Sequence, residues 1–271
     1  MIRFSVLDRL AATIEAVGSD QFYPVMCEYL RECMEFDNVI VVIFVGSNVP
    51  YIAHTRHDGP DVFRLVDEQY LSGAYLLDPV YHFHLKHGDA GLYRLADVAP
   101  DQFRSSRYYK WYYGRIGISD EITVFLPVSR NSTVTISMGK DTSSGTTFSQ
   151  KSEDNLRKHK SVIMALLRTH WHTLDAPHLG IPGASSLADS LRQELKSAHG
   201  VSISTRQAEV ALLILQGHSS PSMGLQLGVS TQTVKVFRKQ LYRRCGISSQ
   251  AELFSLLMPM LGKANIHNEK S

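Results

Sequence analysis

The residues in this chain best suited to chemistry are cationic and bunched. Between Val229 and Arg244 stand Lys235, Arg238, Lys239, Arg243 and Arg244, with no acidic residue among them. Ser230 is of the type that caps a helix N-terminus, so a helix is expected to start beside it. Val234, Phe237 and Leu241 then fall at i, i+3 and i+7, one apolar stripe. Lys235 and Lys239 lie four apart on another face, with Gln232, Arg238 and Tyr242 around them. A basic amphipathic helix can lie on a solvated face, bind an acidic protein or a membrane surface, or enter a DNA groove. Context favours the groove. Ser219 to Leu227 reads as a short helix and Gly228-Val229 as a tight corner, which makes a helix-turn-helix whose second helix carries the cations.

His82, His84, His87 and Asp89 form a second cluster. On a helix His84 and His87 share a face and His82 does not. No cysteine joins them and the spacing matches no zinc pattern, so surface histidines are expected and no metal. There is no nucleophile elbow, phosphate loop or metalloprotease helix. An enzyme is not expected, nor a cofactor.

The elements around these residues read as two kinds. Phe4 to Val17 and Phe22 to Met34 have helical apolar spacing, and Val39 to Val45 is a β-branched run closed by Gly46-Ser-Asn, with Tyr51 to Thr55 as its hairpin partner. A helical region over Val62 to Tyr75 ends at Asp78-Pro79. Ile122 to Val128 and Thr133 to Met138 are two more strands, and Phe148-Ser149 opens a long amphipathic helix to about Trp171. The fold class expected is α+β: an N-terminal α-β-α sandwich over 1–173, then an all-α four-helix helix-turn-helix domain over 199–262. Residues 174–198 form a linker rich in Pro, Gly and Ser, with Leu187, Leu191 and Leu195 leading into the second domain. The final helix is expected over Ser249 to Met258, and 263–271 as a disordered tail.

Charge follows this division. From Gly200 to the end there are eight Lys/Arg against three Asp/Glu, a net +5; the first 199 residues carry 20 against 23, a net −3. The positive end coincides with the helix-turn-helix, as attraction to phosphates requires. No run of about 18 apolar residues and no signal-peptide pattern is present, so a soluble, cytoplasmic protein is expected. Three cysteines do not make a disulfide framework, and Cys27 and Cys33 read as core thiols.

The stretch Ile203 to Val210, then Gly217-His-Ser, then Leu227 to Lys235, resembles the LuxR-type (FixJ and NarL-like) DNA-binding domain over about 55 residues. The resemblance implies that Lys235, Val236 and Lys239 meet base edges in the major groove, that Thr231, Thr233 and Arg238 contact phosphates, and that Arg206 and Glu209 are a scaffold pair. A single unit of this size binds weakly, so a two-fold homodimer on an inverted-repeat site in double-stranded DNA is expected. Two departures stand out. Ser220-Pro-Ser-Met-Gly224 replaces the usual Asn-Lys-Glu-Ile-Ala, and Phe237 replaces the usual His. The N-terminal element order looks like the GAF or PAS-like sensor fold that precedes such domains.

Within that region, Tyr70 to Val80 and Gly91-Leu92-Tyr93 resemble the autoinducer-binding domain of quorum-sensing LuxR proteins. The resemblance makes Asp78 the carboxylate that accepts a ligand N–H, puts Tyr93 where the family carries a Trp that donates to the ring carbonyl, and sets Tyr70 one position from the usual upstream Tyr; Tyr75, Tyr109 and Trp111 are further aromatic candidates in the sequence. Glu121 stands where the family has a small Gly beside the acyl chain. A lactone with one amide would leave a second carboxylate buried and unpartnered. Two carboxylates among aromatic rings would suit an ammonium group instead. The expected effector is thus a small amine-bearing or polar metabolite. An acyl-homoserine-lactone receptor and a ligand-free regulator making only protein contacts are the alternatives, with a metal- or redox-responsive regulator behind them. The same residues also read as plain structure, with Asp78 a helix cap, Glu121 a strand-end group and the tyrosines core.

Overall fold

The computed structural model describes residues 5–57, 62–174 and 187–266. Helices α1 (Val6–Glu15) and α2 (Phe22–Cys33) lead into strands β1 (Asn38–Val45) and β2 (Tyr51–His57). A π turn at Val66–Tyr70 and a 3-10 turn at Ala74–Leu77 precede α3 (Pro79–Leu85), β3 (Gly91–Arg94) and α4 (Leu95–Val98). After a 3-10 turn at Phe103–Ser105 come α5 (Arg107–Trp111), α6 (Tyr113–Ile116), β4 (Ile118–Pro127) and β5 (Ser132–Asp141). Helices α7 (Gln150–Lys158) and α8 (Lys160–Thr173) follow, then α9 (Leu187–His199), α10 (Thr205–Gln216), α11 (Ser220–Leu227), α12 (Thr231–Cys245) and α13 (Gln250–Ile266).

These elements form two compact units that do not follow chain order. Described residues within Met1–Phe63, His84–Asp97 and Gly117–Gly180 make the first, and those within Arg64–Phe83, Val98–Ile116 and Ile181–Ser271 make the second.

The first unit is built on an antiparallel sheet of order β2-β1-β5-β4-β3. Strand alternation sends Val39, Val41, Ile122, Val124, Leu126, Val134, Ile136 and Met138 to one face, where they pack with Phe22, Met26, Leu30, Leu156, Ile163 and Leu167 from the helices. Removing these side chains from water is the main driving force for this layer. Arg94 pins the far edge. Its guanidinium donates to Glu153 at 2.7 Å, to Asp120 at 3.0 Å and to the Phe148 carbonyl at 3.1 Å. The other face carries Thr123, Thr133, Thr135 and Ser137, and the His84 ring touches it, 2.8 Å from the Thr133 hydroxyl. Cys27 and Cys33 are buried, and burial pushes their thiols up to about 12 and about 11, so both stay protonated at neutral pH.

The second unit is helical. Helix α10 packs on α9, α12 and α13, and α11 packs on α12. Ser204 and Gln207 close a capping box at the start of α10, and Gln207 reaches the Gln240 side chain of α12 at 3.2 Å. Leu191, Leu195, Val210, Val234, Leu241, Leu253 and Leu257 are buried. The turns and helices of 64–83 and 98–116 belong to the same unit, with the Ala74–Leu77 turn and α5 packed on α10 and α13.

The sheet and the helix-turn-helix agree with the expected fold class; four local features differ. The helix expected from 148 to 171 breaks at His159, which caps α7 and opens α8. The helical region expected over 62–75 is instead two short turns joined through Gly73, whose φ of 134° no helix accommodates. A short edge strand, β3, lies where apolar periodicity was too brief to show it. The last helix runs to Ile266, past Met258 and into the expected tail. Pro259 costs it a hydrogen bond, but Leu257, Met260 and Leu261 continue the buried stripe. Residues 267–271, and 175–186 of the expected linker, lie outside the described residues.

Candidate nucleic-acid interface and buried acidic site

The six side chains expected to meet DNA all stand on α12. Ser230 caps it, its hydroxyl accepting the Thr233 N–H at 3.0 Å. Val234 and Leu241 are buried and hold the helix on its unit, while Lys235, Val236 and Lys239 are exposed. Thr231, Thr233 and Arg238 are half-buried beside them. Gly246 ends the helix in the left-handed region at φ 65°. Phe237, in place of the family's His, is half-buried. On α11, Leu225 is 86% exposed, so this support helix shows solvent an apolar side chain and no cation. Arg206 and Glu209 form an ion pair at 2.9 Å on the surface of α10.

The second candidate site centres on Asp78, which caps α3. Its carboxylate accepts the Tyr70 hydroxyl at 2.5 Å and the Val80 N–H at 2.8 Å, and the Tyr81 N–H adds to them. Burial raises its pKa to about 6, against the pull of these donors, and pushes the Tyr70 hydroxyl well above its ordinary value. The π turn is what presents Tyr70: one extra residue in the turn carries the ring toward Asp78. Around the pair the rings are dense. Tyr70 stacks on Tyr112 at 5.8 Å, Tyr75 meets Tyr81 edge-on at 5.0 Å, and Tyr108 stacks on Tyr112 at 5.9 Å. Tyr75 and Tyr108 are fully buried.

The remaining expected ligand residues have other neighbours. Trp111 is half-buried and packs edge-on against Phe254 of α13 at 5.6 Å, as an anchor inside the helical unit. Tyr109 stacks on Tyr113 at 5.4 Å. Tyr93 belongs to the sheet unit, where its hydroxyl donates to the Asp89 carbonyl at 3.0 Å and its ring folds over Gly91; a Cβ there would stand 2.7 Å from the ring. Glu121 is also in the sheet unit, buried on β4, and accepts the Thr123 hydroxyl at 3.2 Å. Tyr108, Tyr112 and Tyr113 were not singled out in sequence, although the density of the run Tyr108 to Tyr113 was the available signal.

The histidines diverge. His82 Nε2 lies 2.7 Å from the Leu76 carbonyl and 2.9 Å from the Gln216 amide nitrogen, whereas His84 sits between Gly46 and Thr133. Among the described residues no group of three metal-binding side chains assembles, and no helix is long and apolar enough to cross a membrane.

Comparison with known proteins places this geometry. Residues 201–257 match the family of bacterial regulatory proteins described as GerE, luxR family. A protein of Aeromonas salmonicida, named as an HTH-type transcriptional regulator of the exeN 3′ region, is 30% identical over 175 residues, which span 62% of this chain and 87% of that protein. Among solved structures, the VqsR LBD domain of Pseudomonas aeruginosa has a TM-score of 0.53 at 24% identity, covering 63% of this chain and 97% of its own. Escherichia coli SdiA gives 0.45 at 13% identity over 93% of this chain and 96% of its own. The chain is a DNA-binding transcription regulator of the luxR family, with an N-terminal domain of the VqsR LBD fold and a C-terminal helix-turn-helix.

Proposed function

We propose that this regulator is controlled by a small molecule taken up at Asp78, and that the effector carries an amine or another strong N–H donor. The observation behind this reading is the buried Asp78 carboxylate, whose donors among the described residues are neutral, with Tyr70, Tyr75, Tyr81 and Tyr112 clustered around it. An ammonium in the place of the Tyr70 hydroxyl would offset the desolvation that raises the carboxyl, and the ring faces would add cation–π attraction. The reading rests first on Asp78 and the rings about it, with Tyr93, Trp111 and Glu121 proposed as further contacts of the effector. Residues 1–173 form the sensor region in chain order and 199–262 the DNA-binding region. On DNA, Lys235, Val236 and Lys239 meet base edges and Thr231, Thr233 and Arg238 meet phosphates, in a two-fold dimer on an inverted repeat. The protein works in the cytoplasm, where its DNA is.

A second reading takes Asp78 as a structural cap, since the Tyr70 hydroxyl and the Val80 and Tyr81 N–H groups already donate to it. The N-terminal domain would then make only protein contacts. Thermal shift of the full chain against amines, amino acids and acyl-homoserine lactones separates these. A ligand at a hundred times its dissociation constant adds about 2.7 kcal/mol, and Asp78→Asn should abolish the shift. A lactone that stabilises while amines do not makes the protein a lactone receptor; no shift from any of them favours the ligand-free regulator.

A further inference from the structure

We infer that Arg104, Arg107 and Lys110 form a second DNA-binding surface, a cationic ridge that meets backbone phosphates beside the groove entered by α12. Between Gln102 and Ile116 stand Arg104, Arg107, Lys110 and Arg115, with no acidic residue among them, in a part of the chain whose net charge is negative. All four are exposed, and among the described residues no carboxylate pairs with any of them. Arg107 and Lys110 lie three apart on α5, on one side of the helix. The rings of the same stretch point inward. Phe103, Tyr108, Tyr112 and Tyr113 are buried, Phe103 meets Tyr113 edge-on at 5.5 Å, and Trp111 packs on Phe254 of α13 at 5.6 Å. This aromatic side anchors the stretch, so its cations stand on a fixed element.

Backbone contacts fix where the ridge begins. The Gln102 N–H donates to the Gly217 carbonyl at 3.0 Å, and Asp101 Oδ1 accepts the Ser219 N–H at 3.0 Å. A Cβ on Gly217 would stand 2.9 Å from Phe103 Cα, so the two segments touch backbone to backbone. Arg104 therefore stands beside the α10–α11 corner, in the same compact unit as α12. In a helix-turn-helix the second helix enters the major groove and the first crosses the phosphate backbone. Helix α11 is that first helix, and it has no Lys or Arg; Pro221 stands where the family has its lysine. The ridge brings cations to the corner where α11 lacks them. Guanidinium groups suit this task, since their fork can hold a phosphate through two parallel hydrogen bonds. An acidic protein would also be drawn to four cations, but the shared corner with α11 favours DNA.

The inference rests on DNA binding by α12, so the test begins there. Fluorescence anisotropy of the full chain with a random-sequence duplex of about 30 base pairs reads affinity against salt, without knowledge of the operator. The double variant Arg104→Ala/Arg107→Ala should lower the slope of log K against log salt by about 1.8, and weaken binding roughly eightfold per arginine at about 0.1 M salt. Arg104→Lys/Arg107→Lys keeps both charges and should keep the slope. Lys196→Ala, which removes an exposed cation on α9 of the same unit, should leave affinity and slope unchanged. An unchanged slope in the alanine pair overturns the ridge and leaves its cations to an acidic protein; if Lys235→Ala still lowers the slope, the α12 reading stands without it. An equal loss in Lys196→Ala also overturns the ridge, because the effect is then one of net charge. A wild type that does not bind duplex at low salt overturns the α12 reading and the ridge together. Should the alanine pair fold poorly, Arg104→Gln/Arg107→Gln, which keeps much of each stem, reads the same slope.

Discussion

Asp78 keeps a carboxylate in a place that disfavours charge, and this has a consequence for pH. Its folded value, raised to about 6, lies above its ordinary value of 3.8. Between those two pH values the folded chain binds the proton more tightly than the unfolded one. This residue's contribution to stability is therefore most favourable below the lower value and declines as pH rises through about 6, by roughly 3 kcal/mol. Asp78→Asn removes that decline, because the amide has no charge to desolvate while its oxygen can still accept the Tyr70 hydroxyl. Urea unfolding of both proteins from pH 4 to 7 should show the stability difference shifting in favour of the variant as pH rises. A constant difference would mean that the carboxyl is not raised. The variant is expected to lose effector response while gaining stability, the opposite of ordinary core damage.

At the scale of elements, α12 depends on its ends. Its apolar stripe is short, with Val234 and Leu241 fully buried, and Ser230 and Gly246 supply the caps. Ser230→Ala leaves the Thr233 N–H without its partner and should cost about 1 kcal/mol in urea unfolding. The same change frays the turn that carries Thr231 and Thr233, so duplex binding should weaken as well. Stability and binding both unchanged would show that the cap is not needed. The short turns on the way to α3 follow a different logic. They have little periodicity of their own and are held by what they touch: Tyr70 by Asp78, and the Ala74–Leu77 turn by packing on α10 and α13. Such elements are hard to read from sequence because their conformation is set by partners distant along the chain.

Across the whole molecule the uneven charge is the main functional signal. The net +5 after Gly200 against −3 before it puts the attraction for DNA in one region. Lys235→Ala should reduce the salt slope of duplex binding by about 1 and weaken binding across sequences if Lys235 meets phosphate; if it meets a base edge, the loss concentrates on the specific site. A slope and affinity equal to wild type on every sequence would remove Lys235 from the interface.

The sequence alone determined the basic helix, its N-cap, its buried stripe and the corner before it, because these are local matters of spacing and residue type. It also determined the strands of the sheet, from β-branched runs between turn residues. What only the tertiary structure decided was partnership. Asp78 and Tyr70 meet through a π turn that periodicity does not reveal. Trp111 packs on Phe254 across more than a hundred residues, and Tyr93 and Glu121 lie in a different unit from Asp78. Asp101, unremarkable in sequence, accepts the N–H of Ser219, which the chain reaches only after completing the sheet. Spacing along a chain predicts which face of one element a residue occupies. Which distant residue it faces depends on how the elements pack, and that is decided by the summed burial of the whole core.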